Sequence, residues 1–194
     1  MRLSAPRVPP VTDAEMTPEQ EALAAPMRNR GPGKGEILNV FRTIVRSPEL
    51  AKAFLTYGRY ILDKERSLEP RIRELVILRT GFNCRSGYEW TQHVPIGERA
   101  GLTESDIEAI KAGPDHPRWS RPDALLLRAA DELHKDQFIS EPTWAALSDL
   151  FDAKSLMDLV MTVGQYTQVS MFLNTLGVPL DPGQTLDEDL DFRP

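Results

Sequence analysis

Glu89 and His93 stand four residues apart. On a helix that spacing puts a carboxylate and an imidazole on one face, one turn apart. Such a pair moves protons: the carboxylate fixes the ring tautomer and raises the imidazolium fraction. Ser86 precedes Glu89 by three residues and joins the same face. Glu74 belongs to the preceding helix, and an antiparallel hairpin of the two helices can return it to the pair. The spacing alone also fits an ordinary solvated ion pair. By the same standard Tyr88 and Trp90 read first as core or interface aromatics.

The elements that must position these residues read as helices throughout. Ser47-Pro48-Glu49 supplies an N-cap, a first-turn proline and an acid near the positive helix end. Leu50, Phe54, Tyr57 and Ile61 then recur at helical spacing. Glu69-Pro70 opens the next helix, which carries Glu74 and the apolar run Leu75–Leu78, with Gly81 as a candidate interruption. A helix from about Ser86 to Ala100 follows, with a bend expected at Pro95 and a C-cap at Gly101. Thr103, Ser120 and Ser140 start three more helices, and Gly113-Pro114 ends the first of them. The last runs from about Ala153 to Leu176 and stops before Gly177. The fold class expected is all-α.

Six of the 16 prolines fall in the first 32 residues. The segment 1–35 therefore reads as an extended arm and linker, with one short helix near Thr17–Ala25 and a glycine-rich Gly31-Pro-Gly-Lys-Gly stretch. Residues 36–180 form the folded body, and 181–194 an acidic tail. Hydrophobic residues make up 41% and charged residues 27% of the 194, as in ordinary globular proteins. No apolar run approaches the ~18 residues of a membrane span, and the N-terminus lacks an apolar signal core. Net charge −6 and pI about 5.2 argue against general nucleic-acid binding. One cysteine, Cys84, excludes an internal disulfide, a two-thiol redox pair and a cysteine-rich zinc site. A cytoplasmic setting is expected. Three histidines without paired spacing leave a metal site a minority reading. Gln165 and Tyr166 are polar groups on the otherwise apolar last helix, and Tyr166 reads as a core hydroxyl.

The segment Glu74–His93 resembles the carboxymuconolactone decarboxylase / alkylhydroperoxidase D family. The peroxidase branch carries a Glu, then twelve residues on a Cys-x-x-Cys, then a His four after the second Cys. Here Glu74 is twelve before Ser86, and Ser86 and Glu89 fill the two cysteine positions. The decarboxylase branch is closer: a Glu, a second Glu fifteen residues on, and a His four later, as in Glu74, Glu89 and His93. The likeness extends over roughly 36–180. It takes in Asn39-Val-Phe-Arg, Ser47-Pro-Glu-Leu, His93 to Gly101-Leu-Thr-Glu, Ala130-Asp-Glu-Leu, and the end of the last helix from Asn174 to Leu180.

The resemblance implies an all-helical, alkylhydroperoxidase D-like domain that assembles as a homotrimer or homohexamer with sites near subunit contacts. It implies a cofactor-independent acid/base enzyme acting on a small carboxylated lactone or related acid. No nucleic acid and no membrane are expected as partners. His93 would be the general acid/base, Glu89 would orient it, and Glu74 would complete a proton relay. Ser86, Tyr88 and Arg85 would bind substrate, with Arg73 an alternative carboxylate fork. His93→Ala is then expected to lower kcat ~10²–10⁴-fold with the fold intact. Two other functions fit the residues. Cys84 could reduce hydroperoxides alone, resolved by an external thiol, with Arg79 and Arg85 nearby to lower its pKa. The chain could also be a non-catalytic oligomer that binds a small ligand or a partner protein.

Overall fold

The computed structural model describes residues 3–28, 35–63, 65 and 67–191. Apart from Gly35, the glycine-rich linker lies outside the described residues. Among the described residues there is no strand. The described residues form nine α-helices, in order: α1 Pro18–Ala24, α2 Asn39–Ile44, α3 Pro48–Ile61, α4 Pro70–Asn83, α5 Gly87–Arg99, α6 Glu104–Ala112, α7 Arg121–Asp136, α8 Glu141–Ser148 and α9 Ala153–Leu176. None of them is long and apolar enough to cross a membrane.

The axis of the molecule is α4. Glu69 caps it by accepting from the Arg71 and Ile72 amides, and Pro70 occupies its first turn. Leu75, Val76, Ile77 and Leu78 are all buried, as are Arg73, Glu74 and Thr80. A helix buried on consecutive positions has neighbours on every side, and α4 packs against α5, α6, α7 and α9. Gly81 does not interrupt it. A Cβ there would stand 3.7 Å from Glu89 Cβ and 3.9 Å from the Trp90 amide nitrogen, so Gly81 marks the close approach of α4 and α5.

The turn between them is tight. Arg85 adopts φ +52°, and the Arg85 and Ser86 amides donate to Phe82 O and Gly81 O, both at 2.9 Å. This is a Schellman closure with an arginine where glycine is usual. It returns the chain antiparallel, so Glu74 on α4 comes level with His93 on α5.

The main core joins α4–α9 around Leu75, Leu78, Trp90, Ile110, Leu126, Leu127, Leu147 and Leu159. Arg79 clamps this layer: its guanidinium donates to both Asp131 carboxylate oxygens at 2.6 and 2.8 Å and to Ile110 O at 2.7 Å. A second cluster packs the arm onto α2 and α3, with Val11, Ala24 and Met27 against Ile37, Ile44, Val45 and Ala51. The acidic tail is fastened too. Lys111 bridges Asp187 and Asp189, Leu190 joins the main core, and Asp181 is buried. The helix at Asn39–Ile44 is not among those expected from the sequence; the short arm helix at Pro18–Ala24 falls where one is expected.

Candidate active site

Two adjacent helices build the centre. From α5, His93 and Glu89 meet across one turn, with His93 Nε2 at 2.9 Å from Glu89 Oε1. From α4, Glu74 Oε2 lies 2.6 Å from His93 Nδ1. Behind it, Arg73 Nε donates to Glu74 Oε1 at 3.0 Å, and its other arm donates to Leu62 O at 3.3 Å. The result is a row of alternating charge, Arg73–Glu74–His93–Glu89. All four are buried, Glu74 completely. Ionised groups stay in such a place only when paired and hydrogen-bonded.

The electrostatics follow from that row. Burial works against a charged imidazole, but the Glu89 and Glu74 carboxylates override it and push the His93 pKa up to about 10. Burial alone would raise Glu74; the His93 imidazolium and the Arg73 guanidinium outweigh it and hold the carboxyl below its ordinary range. At neutral pH the ring is therefore an imidazolium that donates from both nitrogens. Tyr166 of α9 stands edge-on to it, ring centres 5.0 Å apart and planes at 87°. Burial pushes the Tyr166 hydroxyl well above its ordinary pKa, which keeps it neutral.

Glu89 and His93 lie on the wall of a cavity of about 770 Å³. The arm gives it Met27, α2 gives Val40 and Phe41, α3 gives Phe54 and Leu55, and α9 gives Gln165, Tyr166 and Val169. Arg59 and Arg99 are exposed at its mouth. That size is within the roughly 300–1,000 Å³ usual for small-molecule sites.

The sequence-chosen residues separate into those at this cavity and those away from it. Glu74, Glu89 and His93 come together. Tyr88 lines the cavity, but its hydroxyl is engaged: it donates to Asp181 Oδ2 at 2.8 Å and accepts from the Val40 amide at 3.2 Å. Ser86 is buried at the start of α5, and its Oγ finds no partner among the described residues. It is not on the cavity wall. Arg85 is exposed on a separate crevice of about 20 Å³ formed with Asn174 and Leu173, so the turn, not the cavity, accounts for its place. Arg73 is committed to Glu74. Cys84 also stands outside the cavity lining; its Sγ is 3.6 Å from His134 Nδ1, which sequence distance had kept apart. Among the described residues, no group of three His, Cys, Asp or Glu is placed to hold a metal ion.

Five polar lining residues were missed as site residues: Arg59, Asp63, Gln92, Arg99 and Gln184. Nothing local marks them, because polar residues on helix faces and in loops read as solvated. Gln165 carried a signal, a polar side chain on an apolar helix, and the structure puts it on the cavity wall.

The fold defines the class: an all-helical domain of the AhpD type. It is similar to an AhpD-core, peroxidase-related protein from Ralstonia eutropha JMP134, with TM-score 0.77, 17% identity, and 96% of this chain and 95% of that chain covered. A peroxidase-related protein from Silicibacter sp. TM1040 gives TM-score 0.76 at 14% identity over 93% of this chain and 96% of that one. The debrominase Bmp8, solved with 2,3,4-tribromopyrrole, gives 0.74 at 12% over 90% and 91%. No curated protein matches the sequence. The Carboxymuconolactone decarboxylase family model matches residues 48–113, from the first turn of α3 to the end of α6. Over that segment the chain is similar to the carboxymuconolactone decarboxylase family, and its fold is that of the AhpD-like proteins.

Proposed function

We propose that the protein is a cofactor-independent acid/base enzyme whose working group is the Glu74–His93–Glu89 row, acting on a carboxylated lactone or related acid. One observation carries this: an imidazolium held between two carboxylates, at 2.6 and 2.9 Å, opens through Glu89 and His93 onto a ligand-sized cavity. A structural ion pair needs no cavity.

Both ring nitrogens are occupied by carboxylates. The substrate therefore meets the row through Glu89, with His93 as the proton reservoir behind it and Glu74 holding the ring's charge. In a decarboxylation the bond between the ring carbon and the carboxylate breaks, and CO2 leaves. The electron pair passes into the conjugated carbonyl as a dienolate. A proton from the row then goes to carbon: His93 passes its proton to Glu89, Glu89 delivers it to the dienolate carbon and returns to the carboxylate, and solvent recharges the ring. Proton transfer of this kind contributes ~10²–10⁴-fold.

The test is ultraviolet absorbance of 4-carboxymuconolactone with wild type and with Glu89→Gln, which keeps the hydrogen-bonding shape and removes the proton carrier. The lactone band is expected to disappear with wild type and to decline at least 100-fold more slowly with the variant, in the range general acid–base catalysis contributes. Equal rates overturn the role of Glu89.

The pairing of Cys84 Sγ with His134 at 3.6 Å supports a second reading, hydroperoxide reduction at a separate spot. The thiolate would attack the peroxide O–O bond, forming a sulfenic acid and releasing an alcohol; an external thiol would then restore the cysteine. Dimedone trapping at Cys84, absent in Cys84→Ser, is its signature.

A further inference from the structure

We propose that the cavity takes an elongated amphipathic acid bearing a hydroxyl or N–H donor far from its carboxylate, a larger member of the related acids than the bare lactone. The inference rests on the cavity being the substrate site. Three features support it.

The first is shape and lining. A lone carboxylated lactone leaves most of about 770 Å³ unfilled. The walls away from the charged row are Leu38, Val40, Phe41, Phe54, Leu55 and Val169, drawn from two apolar clusters that meet there. Apolar walls reward an apolar body: each buried methylene is worth about fourfold in affinity.

The second is charge. Arg59 and Arg99 are exposed at the mouth, and neither has an ion-pair partner among the described residues. Other arginines of this acidic chain, Arg28, Arg42, Arg71, Arg79, Arg118 and Arg128, are paired with carboxylates. Two guanidinium forks left open at a cavity entrance suit a ligand carboxylate.

The third is Gln165. It is 3% exposed, it lines the cavity, and its Oε1 has no hydrogen-bond partner among the described residues. The other buried unpartnered oxygens, on Ser67, Ser86, Thr162 and Ser170, do not line the cavity. A buried amide oxygen without a donor is costly until something supplies one. Oε1 itself is closed off, so a turn of the amide brings it to a ligand donor at the inner end, while the carboxylate stays with the arginines outside.

Calorimetric titration of wild type and of Glu89→Gln with a short series tests this. The series is hexanoate, decanoate, 1-decanol and 10-hydroxydecanoate. Decanoate is expected to bind at least tenfold tighter than hexanoate and tenfold tighter than decanol. The hydroxy acid is expected to gain a further ~2–10-fold, the worth of one net hydrogen bond. Joint Arg59→Gln and Arg99→Gln should bring decanoate down to decanol. Gln165→Leu should erase the hydroxyl gain, so that 10-hydroxydecanoate binds no tighter than decanoate to that variant. Affinity independent of chain length, decanol as tight as decanoate, or no hydroxyl gain in the wild type overturns the ligand class. The two readings fail separately. If the series binds Glu89→Gln as tightly as wild type while wild type leaves the lactone untouched, the decarboxylation falls and the ligand class stands. If wild type turns the lactone over and the series does not bind, the reverse holds.

Discussion

His93 shows how one side chain's surroundings set both chemistry and stability. Its pKa near 10 in the fold lies above the ordinary 6.5. The charged ring therefore binds its proton more tightly folded than unfolded. Its stabilising contribution is complete below about pH 6.5 and is lost as pH rises through about 10. The urea midpoint of the wild type is expected to fall between pH 7 and pH 10, and to fall less in His93→Gln; equal declines would remove the charged row from the account. Glu74 has the opposite sign. Its carboxyl is held below 4.5, so its contribution is present above that pH and is lost as acid protonates it. The geometry also corrects an expectation about His93→Ala. Deleting the cation leaves two buried carboxylates, and breaking a buried pair costs about 3–5 kcal/mol. The alanine variant is therefore not silent in the fold, and Glu89→Gln is the cleaner probe of activity.

At the scale of elements, the α4–α5 hairpin decides whether the row exists, and Arg85 sits at its hinge. An L-residue in the left-handed region costs roughly 1–2 kcal/mol, and glycine removes that cost. Arg85→Gly is expected to hold or raise the urea midpoint and leave KM for the lactone unchanged. A several-fold rise in KM would return Arg85 to the substrate. The hairpin was largely legible in the sequence. Glu69-Pro70, the i, i+4 pair and the Glu74 register all point to it, and the start of α4 and both ends of α5 fall within a residue of the expected positions. What stayed hidden has a physical reason. Gly81 reads as a breaker because sequence carries no partner distance, while in the fold it is where Glu89 approaches. Residues Cys84 and His134 are fifty apart in the chain, and only the packing of α4 beside α7 joins them. Arg59 and Arg99 look like solvent-facing charges because a cavity mouth is partly solvent. Gln165 was visible as an anomaly, but its missing partner is a property of the packed state.

For the whole molecule, the cavity is a seam between packed clusters. The main core fills the space among α4–α9, whereas the arm, α2 and α3 form a second cluster that is joined to α5 and α9 through Val40, Tyr88 and Val169. Met27, Leu38, Val40 and Phe41 reach the cavity from the arm side, and Gln184 reaches it from the tail. Opening the arm would therefore unroof the site while leaving the core intact, a local opening rather than global unfolding. Within the arm side, Arg42 of α2 is the main polar tie that holds the arm down. Its guanidinium donates to Asp13 Oδ1 at 2.6 Å, Val11 O at 3.1 Å and Ile37 O at 3.2 Å, and its carbonyl accepts from the Val11 amide at 3.2 Å. Arg42→Ala keeps the last bond and loses the other three. Hydrogen bonds to a charged group are worth about 1.5–3 kcal/mol when buried, and less here because Asp13 is exposed. A local loss of about 1.4 kcal/mol makes the arm's open state tenfold more populated. Brief chymotrypsin treatment is then expected to cut Arg42→Ala within its first 28 residues about tenfold faster than wild type, leaving a resistant fragment that begins near α2. Decanoate affinity should fall in the same proportion as the roof is lost. Unchanged arm cleavage would mean that the apolar cluster alone holds the arm; faster cleavage with unchanged affinity would mean that the arm does not roof the cavity.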